Sequence, residues 1–146
     1  MTLQDAQLFL DRFLPPLEND VMVRTGIPAF MYAQEGCAIC AMAAYLRAAS
    51  STPGQIILRE DLADMDTAGG RALLGHERLH QSQYALIDNL DYLYAREQRR
   101  VRGNPPYLNA YEWPAYEVEA NIYRAAIAEG FPPGRHMPLL IQDGLG

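Results

Sequence analysis

Apolar positions recur at helical spacing over Leu3 to Leu14, where Leu3, Leu8, Phe9, Phe13 and Leu14 share a stripe before Pro15-Pro16 end it. A turn follows around Gly26–Pro28. The Ala-rich run Cys37–Ala49 has no two-residue alternation and predicts a helix, closed by Ser50-Ser51-Thr52-Pro53-Gly54. Gln55–Arg59 (QIILR) is short and β-branched, and predicts an edge strand. Asp66-Thr67 offers a cap to a long helix from about Gly70 to Arg100, with Leu79, Leu86, Leu90 and Leu93 as its buried stripe. A loop rich in Pro, Asn and aromatics leads to a last helix, from near Pro114 to a terminating Gly130. The tail beyond it reads as irregular. Together these elements predict one mostly helical α+β domain over residues 1–146, with a small sheet beside two long helices.

Composition narrows the function classes. A hydrophobic fraction of 49% with 21% charged residues is that of a globular protein. Net charge is −6 and all 12 basic residues are Arg, a balance that argues against nucleic-acid and anionic-membrane partners. No apolar run approaches the roughly 20 residues of a spanning helix. The first 20 residues lack a basic lead and carry Asp5 and Asp11, so they read as an amphipathic helix, not a signal peptide. Cys37 and Cys40 are too few for a disulfide framework. The expected compartment is the cytoplasm, signal-independent export aside; nothing in the chain indicates an oligomeric state.

The chemistry lies in the long helix. His76-Glu77-Arg78-Leu79-His80 reads HExxH, and residues four apart sit one above the other on a helix, so two imidazoles can grip one metal ion. Glu77 projects beside such an ion, where a carboxylate can take a proton from water. A third ligand must come from elsewhere. Gln83 and Leu86 stand where a same-helix continuation needs Gly and His, and on an unbroken helix Asp88 and Asp91 lie about 12–17 Å from His80. The segment Tyr116-Glu117-Val118-Glu119-Ala120-Asn121 offers Glu117 or Glu119, which point about 200° apart on a helix.

HExxH followed by a Glu on a later helix resembles the gluzincin (thermolysin-like) metallopeptidases. LLGHERLHQ, then N-x-Y-E, then YEVEAN is similar to small bacterial metallopeptidase-like proteins of unknown function. The resemblance covers Gln55 to Glu129. It implies Zn2+ held by His76, His80 and Glu117, with Glu119 as the other candidate, and Asn121 behind a ligand where the family has Asp. It implies hydrolysis of a peptide or protein substrate, with zinc lowering the pKa of water and Glu77 carrying the proton to the leaving amine. Tyr107, Tyr111, Tyr116 and His136 are the candidates for an oxyanion donor.

Two other readings compete. The chain would bind zinc without hydrolysis, for structure or partner recognition, since QIILR is the sole obvious strand that could align a substrate. Alternatively, Cys37 and Cys40, spaced CxxC, would serve thiol chemistry; without a second pair they read better as small apolar residues in a helix. Arg96, Arg99, Arg100 and Arg102 suit the C-terminal end of a helix dipole, as a solvated cluster.

Overall fold

A computed structural model describes residues 3–16, 22–27, 43–46 and 54–145. Cys37 and Cys40 lie outside these. The elements run α1 (Leu3–Leu10), β1 (Met22–Ile27), β2 (Ala43–Leu46), β3 (Gln55–Arg59), α2 (Ala68–Leu86), α3 (Leu90–Arg100), α4 (Trp113–Ala128) and α5 (Leu139–Gln142). The described part is thus α+β and mostly helical. Among the described residues, no helix is long and apolar enough to cross a membrane.

The sheet corrects two expectations. Its order is β1-β3-β2, so QIILR is the central strand, parallel to β1 and antiparallel to β2. Ile56, Ile57 and Leu58 are consecutive and all buried. A continuous apolar run is the mark of a strand covered on both faces, where an alternating one would have one face in water. Residues 43–46, read as part of an Ala-rich helix, form strand β2, with Ala43 opposite Leu58 and Leu46 opposite Gln55. Helix propensity yields here to the free edge of β3, because strand formation depends on cross-strand neighbours more than on intrinsic preference. The rest of the Cys37–Ala49 reading lies outside the described residues.

Helix α2 starts where its cap predicts: the Thr67 side chain accepts from Gly70 N at 3.0 Å. It packs on α4 along one side and on β2 and β3 along another. Gly75 permits the close approach to α4, since a Cβ there would stand 2.3 Å from Ile122 Cδ1. Leu10, Ile56, Leu58, Leu74 and Ile122 form the centre of the core. Arg78, inside HExxH, points away from the motif's histidines toward α1. Its buried guanidinium donates to the Gln7 carbonyl and side chain, to Asp11 at 2.8 Å and to the Pro15 carbonyl at 2.7 Å.

The long helix expected from Gly70 to Arg100 is two helices. Ile87 turns extended and Asn89 adopts the left-handed region at φ 58, which Asn tolerates better than most residues. Leu86, at the end of α2, is consequently 82% exposed, while Leu90 is buried at the start of α3. Arg100 is exposed, as its position suggested, and from there it grips Glu97 and donates to the Leu108 carbonyl at 3.0 Å.

Helix α4 ends as its sequence predicts. Phe131 N reaches Ala126 O, Gly130 N reaches Ile127 O, and Gly130 has φ 95. The tail after it, expected to be irregular, is so only as far as Pro138, after which the short helix α5 begins, and it is docked. Pro132 O and Pro133 O accept from Ala68 N and Gly69 N at 2.8 and 2.9 Å, satisfying free amides at the start of α2. A Cβ on Gly69 would stand 2.1 Å from His136 O and 3.0 Å from Pro133 O, both backbone atoms. Gly69→Ala is therefore expected to destabilise the fold by about 1–3 kcal/mol, the usual cost of overpacking. Urea unfolding measures it, and wild-type stability in the variant would refute the docking of this tail.

Candidate metal centre

The two histidines of HExxH meet at their Nε2 atoms, 3.2 Å apart near the middle of α2. Glu112 Oε1 closes the triangle, 3.2 Å from His76 Nε2 and 2.6 Å from His80 Nε2. Among the described residues, His76, His80 and Glu112 form a group whose ligand atoms all lie within 4.8 Å of one another. Their side chains are only 8%, 13% and 12% exposed.

Glu112 reaches this place through a structured loop. A single helical turn, Pro106–Leu108, leads to buried Asn109, whose side chain accepts from Tyr111 N at 2.8 Å. The Asn109 carbonyl accepts from Glu112 N and Trp113 N, opening α4 directly at Glu112. Glu97 fastens the same loop to α3 by accepting from Ala110 N at 2.9 Å.

Each converging side chain has a partner behind it. His76 Nδ1 lies 3.4 Å from Glu119 Oε1, within ion-pair reach but too long for a well-formed hydrogen bond. His136 Nε2 stands 3.3 Å from the same oxygen, making a buried His136–Glu119–His76 chain. His80 Nδ1 lies 2.9 Å from Gln83 Oε1, and Gln83 Nε2 donates to Tyr111 O at 2.8 Å. Glu112 Oε2 accepts from Tyr94 OH at 2.7 Å.

The electrostatics follow from this crowding. Burial opposes charge on His76 and His80, yet contact with Glu112, and for His76 also with Glu119, raises both above the ordinary imidazole value. Burial likewise opposes charge on Glu112 and Glu119, but their histidine partners outweigh it and hold both below the usual carboxylate range. Glu77 moves the other way. Burial raises it, His76 and His80 pull it down, and the charges of Glu112 and Glu119 push it up again.

Of the residues expected at the site, His76 and Glu77 are buried and His80 is half-buried beside them. Glu117 is not part of the group. It is exposed, on the face of α4 turned away from α2, and Glu112 stands in the third position instead. Glu119 lies behind His76. Asn121 is exposed too and contacts Arg124 at 3.4 Å, so the place behind a histidine foreseen for it belongs to Glu119. Asp88 is exposed and Asp91 accepts from Tyr84 OH; the helix breaks before them, but neither joins the group.

Among the oxyanion candidates, Tyr107 OH is committed to Asp143 at 2.7 Å and His136 to Glu119. Tyr111 enters through its backbone, as the carbonyl that holds Gln83. Tyr116 remains against the centre, its ring edge-on to His76 with centroids 4.6 Å apart. Tyr94, which donates to Glu112, is a contact the sequence did not suggest. No family model, curated protein or solved structure matches this chain.

Proposed function

We propose that this chain is a zinc-dependent hydrolase of peptide bonds, built like a gluzincin, with His76, His80 and Glu112 as ligands and Glu77 as general base. The observation that carries the reading is the convergence of two imidazole nitrogens and one carboxylate oxygen on a common point, each backed by a further polar group. Zinc–nitrogen bonds of about 2.0–2.1 Å set tetrahedral ligand atoms roughly 3.3–3.4 Å apart. Two edges of the triangle measure 3.2 Å, and the third, at 2.6 Å, must open. Facing imidazole nitrogens beside a buried carboxylate suit a cation, with Gln83 Oε1 holding the His80 Nδ1 proton and Glu119 standing behind His76 Nδ1.

Bound zinc supplies Lewis-acid chemistry and lowers the pKa of a water molecule. Glu77, next to His76 and shielded from solvent, would take a proton from water and return it to the leaving amine. Tyr116, whose ring meets His76 edge-on, is the foreseen donor that remains to face a developing oxyanion.

Protons and metal compete for the same nitrogens. Without metal, the raised histidines stabilise the fold fully below about 6.5, their unfolded value, and that contribution is lost as pH rises through the higher folded value. The lowered carboxylates contribute above about 4.3 and lose it as pH falls through their folded values. Above the raised folded values of the histidines, deprotonation leaves a buried, net-negative centre that zinc can fill. Protein purified without chelator is expected to hold near-stoichiometric zinc, absent from His80→Ala. The melting temperature lost on chelation should be larger at pH 7.5 than at pH 5. Chelation without effect at either pH, or full zinc retention in His80→Ala, would overturn the reading.

A further inference from the structure

We infer that Tyr94 is a positioning residue that restricts Glu112 to a single ligating oxygen, an inference resting on the metal site proposed above. The Glu112 carboxylate is divided between two tasks. Oε1 faces the Nε2 atoms of His76 and His80, at 3.2 and 2.6 Å, while Oε2 accepts the Tyr94 hydroxyl proton at 2.7 Å. The Tyr94 ring stands edge-on to His80, with centroids 6.4 Å apart, so one side chain braces two members of the group. Its oxygen also lies 3.5 Å from Gln98 Nε2, too long to draw it from Glu112.

The chain break before α3 makes this contact possible. Continued straight, a helix would carry Tyr94 about 21 Å along the axis beyond His80. Extended Ile87 and left-handed Asn89 instead fold α3 back over the loop that bears Glu112. Leu90 buries at the start of α3, and Glu97 and Arg100 fix its far end to Ala110 N and Leu108 O.

The consequence concerns coordination number. A carboxylate can bind a metal through one oxygen or two. Two would fill the position that an open, catalytic site keeps for water. A phenol hydrogen-bonded to Oε2 disfavours the second bond, so Tyr94 keeps the site open.

Cobalt(II) tests this, because its visible absorption is intense when four-coordinate and weaker when five-coordinate. Metal-free wild type, Tyr94→Phe and Tyr92→Phe would each be titrated with Co2+; Tyr92, on the same helix, is 63% exposed. Wild type and Tyr92→Phe should give the same intense bands. Tyr94→Phe should give weaker bands and about 10–100-fold lower affinity, the usual cost of losing a partner behind a ligand. Unchanged bands and affinity in Tyr94→Phe overturn the inference while leaving the metal site standing. Absence of Co2+ bands in wild type overturns the site itself, and with it this role. Should Tyr94→Phe fail to fold, a crystal structure of the zinc-loaded wild type decides: Oε2 on Tyr94 supports the inference, and both oxygens on zinc refute it.

Discussion

Glu77→Gln is expected to keep zinc and lose peptide hydrolysis, with a fall in rate of about 10²–10⁴-fold, the range supplied by a positioned general base. The substitution preserves volume and hydrogen-bonding reach but removes the basic oxygen. Glu77 is 6% exposed, and its surroundings push its pKa up, first by burial and then by the charges of Glu112 and Glu119, against the pull of the two histidines. A carboxylate with a raised pKa is a stronger base than an ordinary exposed one, so it takes a proton from water more readily. A peptide library read by mass spectrometry measures the rate, and metal analysis of the same samples reads occupancy. Equal cleavage by Glu77→Gln and wild type would remove Glu77 from the chemistry. Loss of zinc in the variant would make it part of the binding site. No cleavage by wild type, with zinc bound, would favour a zinc-binding protein without hydrolytic activity.

The parts of this centre legible in the sequence are the local ones. HExxH on a helix follows from four-residue spacing, the start of α2 from Thr67, and the end of α4 from Gly130, each a matter of a few neighbouring residues. The break at Ile87–Asn89 was hidden because Leu86, Leu90 and Leu93 keep helical spacing across it. Periodicity cannot distinguish one helix from two in such a case, and with the break went any sight of Tyr94. Strand β2 was hidden for a different reason, since its stability comes from pairing with β3 and not from its own Ala-rich sequence.

The third member of the His76–His80 group, Glu112, lies closer to what the sequence pattern shows. Helix α4 buries Ala115, Tyr116, Glu119, Ala120, Ile122, Tyr123 and Ala126, a stripe of three- and four-residue steps from which Glu117 is absent. Glu112 is four residues before Tyr116 and seven before Glu119, so two turns of helix set both carboxylates on that stripe. The stripe separates Glu117 from Glu119. It does not say which of Glu112 and Glu119 meets His76 and His80 head-on, because that depends on where α2 crosses α4, a distance set by Gly75 against Ile122 and by the docked tail.

Exchanging the three glutamates singly for Gln should therefore give three different metal affinities. Glu112→Gln removes the charged oxygen that stands 3.2 and 2.6 Å from the two Nε2 atoms, and its loss should exceed the roughly 10–100-fold cost of removing an outer partner. Glu119→Gln should fall within that 10–100-fold range, because it weakens the support of His76 Nδ1 without touching the inward-facing nitrogens. Glu117→Gln should bind zinc as wild type does, its side chain lying in solvent on the opposite face of α4. Competition against a chromophoric chelator reads all three on one scale. If Glu117→Gln lost zinc and Glu112→Gln kept it, the packing of α4 on α2 would have to be rotated by roughly half a turn, given the 100° step per residue between the two positions. Such a rotation would pull Tyr116 and Glu119 from the core and expose Ile122, so metal affinity in these variants also tests the register of the helix pair.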